Sequence, residues 1–155
     1  MSKITRIGLA TDFSKISKHA EKIALTLRDA LNAELFVIHA FHRDELRIPA
    51  PYYFMPGVDT WINDREKEML ELGQHTVEKL AEELGNAKGI FLEGKPGPKL
   101  VSFAQKIELD MLIMGTHGYS GFNRLMLGSV TEYVLRHAHC PVLTVKYHDE
   151  DDPTQ

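Results

Sequence analysis

The sequence predicts an α/β fold: a doubly wound, five-stranded parallel sheet of strand order 3-2-1-4-5 with helices on both faces. Three observations point to it. Strand-like and helix-like apolar patterns alternate four times and end on a fifth strand, the order expected of parallel strands joined by crossover helices. The run LFVIHAF, Leu35–Phe41, is apolar nearly throughout, as suits a strand covered on both faces. A glycine-rich segment, GTHGYSGFNRLMLGS, then joins the fourth strand to the fourth helix.

The elements follow in order. Ile4 to Ala10 reads as the first strand and runs into Thr11-Asp12. Ser14 is placed to cap a helix whose apolar positions are Ile16, Ala20, Ile23, Ala24, Leu27 and Leu31, a helical spacing. Leu35 to Phe41 is the second strand. Between His42 and Val58 the pattern breaks, because Pro49, Pro51 and Pro56 exclude a regular helix. Helical periodicity resumes after Trp61, with Met69, Leu72, Thr76, Leu80 and Leu84 on one face and Gly85 as its stop. Ile90 to Leu92 belongs to a third strand. Gly97-Pro98 opens a helix with Leu100, Phe103, Ala104 and Ile107 apolar, proline being tolerated in a first turn. Met111–Gly115 is the fourth strand. Gly128 to His139 is the fourth helix, with Val130, Val134, Leu135 and Ala138 apolar, and Pro141 to Val145 is the fifth strand. Residues 1–147 are expected to form one domain, and 148–155 a polar, acidic tail.

Composition narrows the function. The 155 residues suit one core, and 43% hydrophobic with 26% charged residues is ordinary for a globular protein. The net charge is −4 with no basic block, which argues against nucleic acid as a partner. No apolar run is long enough for a membrane helix. The N-terminus reads as a strand rather than a signal peptide, and the single Cys140 forbids an intrachain disulfide; a cytoplasmic location is the expectation.

In a sheet of this order, ligands bind beyond the carboxyl ends of the strands where the winding reverses, between strands one and four. Strand one ends at Thr11-Asp12 and strand four at Gly115. No dinucleotide GxGxxG follows the first strand, and GKPGPKL, Gly94 to Leu100, lacks the ending of a Walker A loop. There remains Gly115-Thr-His-Gly118, nine residues, then Gly128-Ser129. This is either a phosphate cradle or a connection punctuated by glycine. For the cradle, glycines allow close approach and positive φ, and the helix opening at Gly128-Ser129 offers amide hydrogens and a dipole to an anion.

The spacing G-2x-G-9x-G-[S/T], followed by VTEYV and then CPVLTVK, resembles the ATP-binding branch of the universal stress protein family. IGLATDF and AELFVIHAF resemble that family's first two strands. The resemblance implies that Gly115, Gly118, Gly128 and Ser129 hold the ribose and phosphates of ATP, with Val130 and Thr131 lending amides or a hydroxyl. It places Asp12 beside the nucleotide, Thr11 near it, and the Ala40 backbone against adenine. His117 is either a ligand contact or an exposed turn residue, and Arg124 either a solvated charge or a phosphate contact. The glycine segment has no lysine, so a triphosphate would lean on amides, a helix end and Mg²⁺.

Other features point less far. His137-Ala-His139-Cys140 lacks a full zinc ligand set, so no metal held directly by protein ligands is assigned. Asp12 is the one carboxylate placed at the crevice, with no carboxylate pair or Ser-His-Asp set assignable. No catalytic residue is therefore expected, and ATP hydrolysis is expected to be weak at most. PVLTVK is an edge strand with nothing internal to block pairing. A homodimer through Val142 to Lys146 is expected, and the resemblance implies the same. The segment 42–60 is a candidate lid or docking surface for an unidentified regulatory partner. The resulting expectation is an ATP- and Mg²⁺-binding homodimer that regulates a stress response, the stress role resting on the resemblance alone. The alternatives are a slow ATPase or nucleotidyl transferase, a flavin module, and a dimeric scaffold without nucleotide.

Overall fold

The computed structural model describes residues 3–116 and 127–146. Its five strands are β1 (Arg6–Ala10), β2 (Glu34–Phe41), β3 (Ala87–Glu93), β4 (Met111–Gly115) and β5 (Val142–Val145). Its four helices are α1 (Lys15–Leu31), α2 (Val58–Leu84), α3 (Pro96–Lys106) and α4 (Ser129–His137). The sheet is parallel in every pairing and runs β3-β2-β1-β4-β5, the order expected from the sequence.

The central strands explain why the sheet is buried on both sides. Ile7, Leu9, Leu35 and Val37 face a core made with Ala20 and Ala24 of α1 and Val77 and Ala81 of α2. Phe36, Ile38, Leu112 and Met114 face a second core with Leu100 and Ala104 of α3 and Val134 of α4. Alternate residues of one strand thus feed opposite cores. Helices α1 and α2 cover one face, α3 and α4 the other, and the winding reverses between β1 and β4.

Local chemistry sets most boundaries. The Ser14 side chain accepts from the Ser17 amide and caps α1, and Asn32 ends the helix in a left-handed conformation. Pro96 and Pro98 lie in the first turn of α3, where the amide hydrogens they lack would have had no helical partner. Gly85 follows the last residue of α2.

Three details differ from the sequence reading. The proline-rich segment carries two 3-10 turns, Arg43–Leu46, capped by His42, and Ala50–Phe54, which has prolines at its start. Helix α2 begins at Val58, ahead of Trp61, and buries Ile62, Gly73, Val77 and Ala81. Leu72, expected on its buried face, is 56% exposed. The reason is Gly73. A Cβ there would stand 2.7 Å from the Phe91 ring, so the helix seats its smallest residue on the sheet and turns Leu72 outward.

Candidate functional site

The candidate site is built where β1, β2 and β4 end. After Ala10 the chain turns through Thr11-Asp12-Phe13-Ser14. The Phe13 amide donates to Thr11 Oγ1 (3.0 Å), and the Ser14 amide to Asp12 Oδ1 (3.0 Å). Ser17 Oγ also donates to Asp12 Oδ1, at 2.6 Å. These side-chain-to-backbone bonds are the turn-forming habit of threonine and aspartate. They hold Phe13 at φ 62°, a left-handed conformation rare for an aromatic residue. Thr11 and Asp12 thus shape the turn that brings them to the end of the sheet.

His39 braces this turn from the α1–α2 side. Its Nδ1 lies 2.8 Å from the Thr11 carbonyl, an arrangement in which Nδ1–H donates. The ring packs on Phe13, centroids 4.5 Å apart, with Phe91 at 6.0 Å. Burial holds the imidazole below its ordinary range, against the Thr11 hydrogen bond and the Asp12 charge, which favour the proton.

Ala40 follows on β2. The Thr11 amide donates to the Ile38 carbonyl at 2.9 Å, and the last residue pair of β1 and β2 is Ala10 with Ile38. Backbone groups alternate sides along a strand, so those of Ala40 face the same side as Ile38's, beyond the end of β1. One donor and one acceptor of the main chain are therefore presented at the crevice, with Ala40 itself 8% exposed.

On the far side, β4 ends at Gly115. Thr131 Oγ1 donates to the Gly115 carbonyl at 2.9 Å, and the Gly128 amide donates to the Thr116 carbonyl at 2.9 Å. These bonds clamp the start of α4 to the end of β4. Gly128 is the residue before the helix and supplies no side-chain cap. The first-turn amides of Ser129, Val130 and Thr131 precede the first α-helical bond, from Glu132 to Gly128, and so have no partner within the helix. Gly128 has φ −63°, and positive φ among described glycines is confined to Gly57, Gly85 and Gly94. Gly115 therefore does not use the left-handed freedom expected of it, and Gly128 opens the helix as expected; what both offer is the absence of a side chain.

The structure thus brings Thr11, Asp12, Ala40, Gly115, Gly128, Ser129, Val130 and Thr131 to one end of the sheet. It commits the Thr131 hydroxyl to Gly115. His117, Gly118 and Arg124 lie outside the described residues. Ser129 and Val130 line a cleft of about 420 Å³, whose other walls include Glu45, Arg47, Lys95, Gly97 and Tyr133. Thr11, Asp12, Ala40 and Gly115 do not line this cleft. A second hollow of about 630 Å³ lies between Phe41, Arg43, Glu66, Leu70 and Lys99. Arg47 and Lys95 were not singled out from the sequence. No motif joins them to the glycine segment, and only the tertiary structure places them beside Ser129. Burial pushes the Glu45 carboxyl above its usual range, opposed by the His42 amide that donates to it. Among the described residues no group of three or more His, Cys, Asp or Glu could hold a metal ion, which covers His137, His139 and Cys140. No described helix is long and apolar enough to cross a membrane.

Comparison with known proteins places this geometry. The universal stress protein family model matches residues 3–146. The chain is 36% identical over 144 residues to universal stress protein MJ0531 of Methanocaldococcus jannaschii, covering 91% of this chain and 81% of that protein. The solved structure of MJ0577 superposes with a TM-score of 0.79 at 26% identity, covering 96% of this chain and 99% of that one. A universal stress protein in complex with cAMP superposes with a TM-score of 0.58 at 27% identity, covering 93% and 98%. By its sequence match and its fold, this chain belongs to the universal stress protein family.

Proposed function

We propose that this chain binds an adenine nucleotide, ATP with Mg²⁺, in the crevice between β1 and β4, and that it acts as a nucleotide-dependent regulator in a stress response. The observation that carries the reading is the uncapped first turn of α4, clamped by Thr131 and Gly128 beside the end of β4. Amides without a partner in the helix and the positive end of a helix dipole favour phosphate there. The outward-facing backbone donor and acceptor of Ala40 suit the edge of a purine. A family member solved with cAMP supports an adenine ligand. Mg²⁺ fits a site without a three-ligand protein cluster, because it is commonly held by phosphates, water and one or two carboxylates. Asp12 is the nearest candidate carboxylate.

In this reading Thr11, Asp12 and Ala40 hold the nucleoside side, and Gly115 with Gly128, Ser129, Val130 and the Thr131 amide hold the phosphate side. Two copies join through β5, and the protein acts in the cytoplasm. ATP works as a switch by favouring one conformation or assembly. Calorimetric titration with ATP, AMP and cAMP, with and without Mg²⁺, tests this. Binding is expected in the native chain and is expected to be lost in Gly115→Val/Gly128→Val with the circular dichroism spectrum retained. A native chain that binds no adenine nucleotide would remove the proposal.

A further inference from the structure

The sequence posed an electrostatic problem: a polyphosphate site whose glycine segment has no lysine. The fold supplies cationic side chains from two other places. Arg47 ends the 3-10 turn Arg43–Leu46, and Lys95 precedes α3; both line the cleft that Ser129 and Val130 line. About 420 Å³ of space lies between these walls, within the range of roughly 300–1,000 Å³ common for small-molecule sites.

The two carboxylates of the same cleft, Asp44 and Glu45, form no ion pair within 4.0 Å with either cation. Asp44 Oδ2 lies 3.1 Å from His42 Nδ1, a nitrogen that itself accepts from the Asp44 amide at 3.2 Å. Glu45 Oε1 accepts from the His42 amide at 3.1 Å, closing a capping box on the turn. Arg47 lies within electrostatic reach of Glu45, yet forms no ion pair within 4.0 Å among the described residues, and neither does Lys95. Arg47 is also held at φ 47°, an uncommon backbone for a long side chain, so the turn fixes where that side chain starts. The first turn of α3 adds few amide donors, because Pro96 and Pro98 have none. The cationic side chains, rather than that helix end, are what the wall offers an anion.

We infer that Arg47 and Lys95 read the length of the phosphate chain, making this a site for nucleoside di- and triphosphates in preference to monophosphates. The inference rests on the proposed nucleotide site. A nucleotide whose first phosphate lies on the α4 amides extends its further phosphates into the cleft toward these two cations. Each added phosphate brings charge that amides alone stabilise less well than a guanidinium or ammonium group does.

The test is a calorimetric comparison of ATP, ADP and AMP on the native chain and on Arg47→Asn/Lys95→Gln. Asparagine is chosen because it tolerates a left-handed backbone, and thermal melting monitors folding. The native chain is expected to bind ATP more tightly than AMP. The ratio of the two affinities is expected to fall by about tenfold or more in the variant, the scale of a lost charge-assisted contact. A native chain that binds nucleotide with the same ratio before and after substitution overturns this inference and leaves the nucleotide site standing. A native chain that binds none of the three overturns both.

Discussion

The Thr131 hydroxyl, donated to the Gly115 carbonyl at 2.9 Å, ties the first turn of α4 to the last residue of β4. At 3% exposure that carbonyl contact has little competition from water. Thr131→Val keeps the shape and removes the donor, so it is expected to lower stability by about 1–2 kcal/mol in urea unfolding, and to weaken nucleotide binding through loosened geometry. Unchanged stability would mean that the clamp contributes nothing. His39 gives the pH prediction. Its folded-state pKa lies below the ordinary 6.5 because burial disfavours the charged ring. The unfolded chain then binds more protons just below that value, so this contribution to stability is full above about pH 6.5 and is lost as pH falls. Ring-proton NMR is expected to place the His39 midpoint below 6.5; a midpoint above it would show the Thr11 hydrogen bond and the Asp12 charge outweighing burial. Much of this scale was legible early. Ser14 as a cap and Asp12 at the strand end follow from residue type and order, and Ala40 at the crevice from the family resemblance. The Thr131 clamp was not legible, because a threonine hydroxyl serves a ligand or a carbonyl equally well until its neighbour is known.

Strands β3 and helix α2 show how one residue sets the fit of two elements. A Cβ on Gly89 would stand 2.9 Å from both Glu78 Cα and the Val77 carbonyl oxygen. Those are backbone atoms, which cannot move aside as a flexible side chain can. Gly89→Ala is expected to cost about 1–3 kcal/mol of stability, measured by thermal unfolding, while a neutral result would show that α2 can ride up without loss. Gly73 makes the same kind of contact with a side chain, the Phe91 ring. Together they explain why the buried stripe of α2 runs through Ile62, Gly73, Val77 and Ala81 and passes Leu72 by. Periodicity counts apolar residues and gives a glycine no weight, so it placed the helix and missed its rotation. The early start at Val58 had the same origin: Trp61, 57% exposed, marks no boundary of the core.

At the scale of the whole molecule, β3 and β5 are the edges of the sheet. The β5 edge carries Leu143 at 37% exposure, paired in register with Ile113 on its inner side. If two copies meet there, Leu143→Lys is expected to convert a dimer to a folded monomer in sedimentation velocity, since an edge lysine opposes strand pairing. A native chain that sediments as a monomer at high concentration would remove the β5 interface. The same global view explains the cleft. Arg47, Lys95 and Ser129 stand far apart in sequence, yet the carboxyl ends of β2, β3 and β4 deliver all three to one end of the sheet. Alternating patterns, two-sided apolar strands and glycine punctuation by themselves determined the element order and the parallel sheet, because these depend on local periodicity and chain connectivity; the place where winding reverses followed from taking the common five-strand order. Only the tertiary structure decided which face α2 presents, where the Thr131 hydroxyl goes and which cations stand beside Ser129, because those depend on distances between residues that the chain's order leaves free.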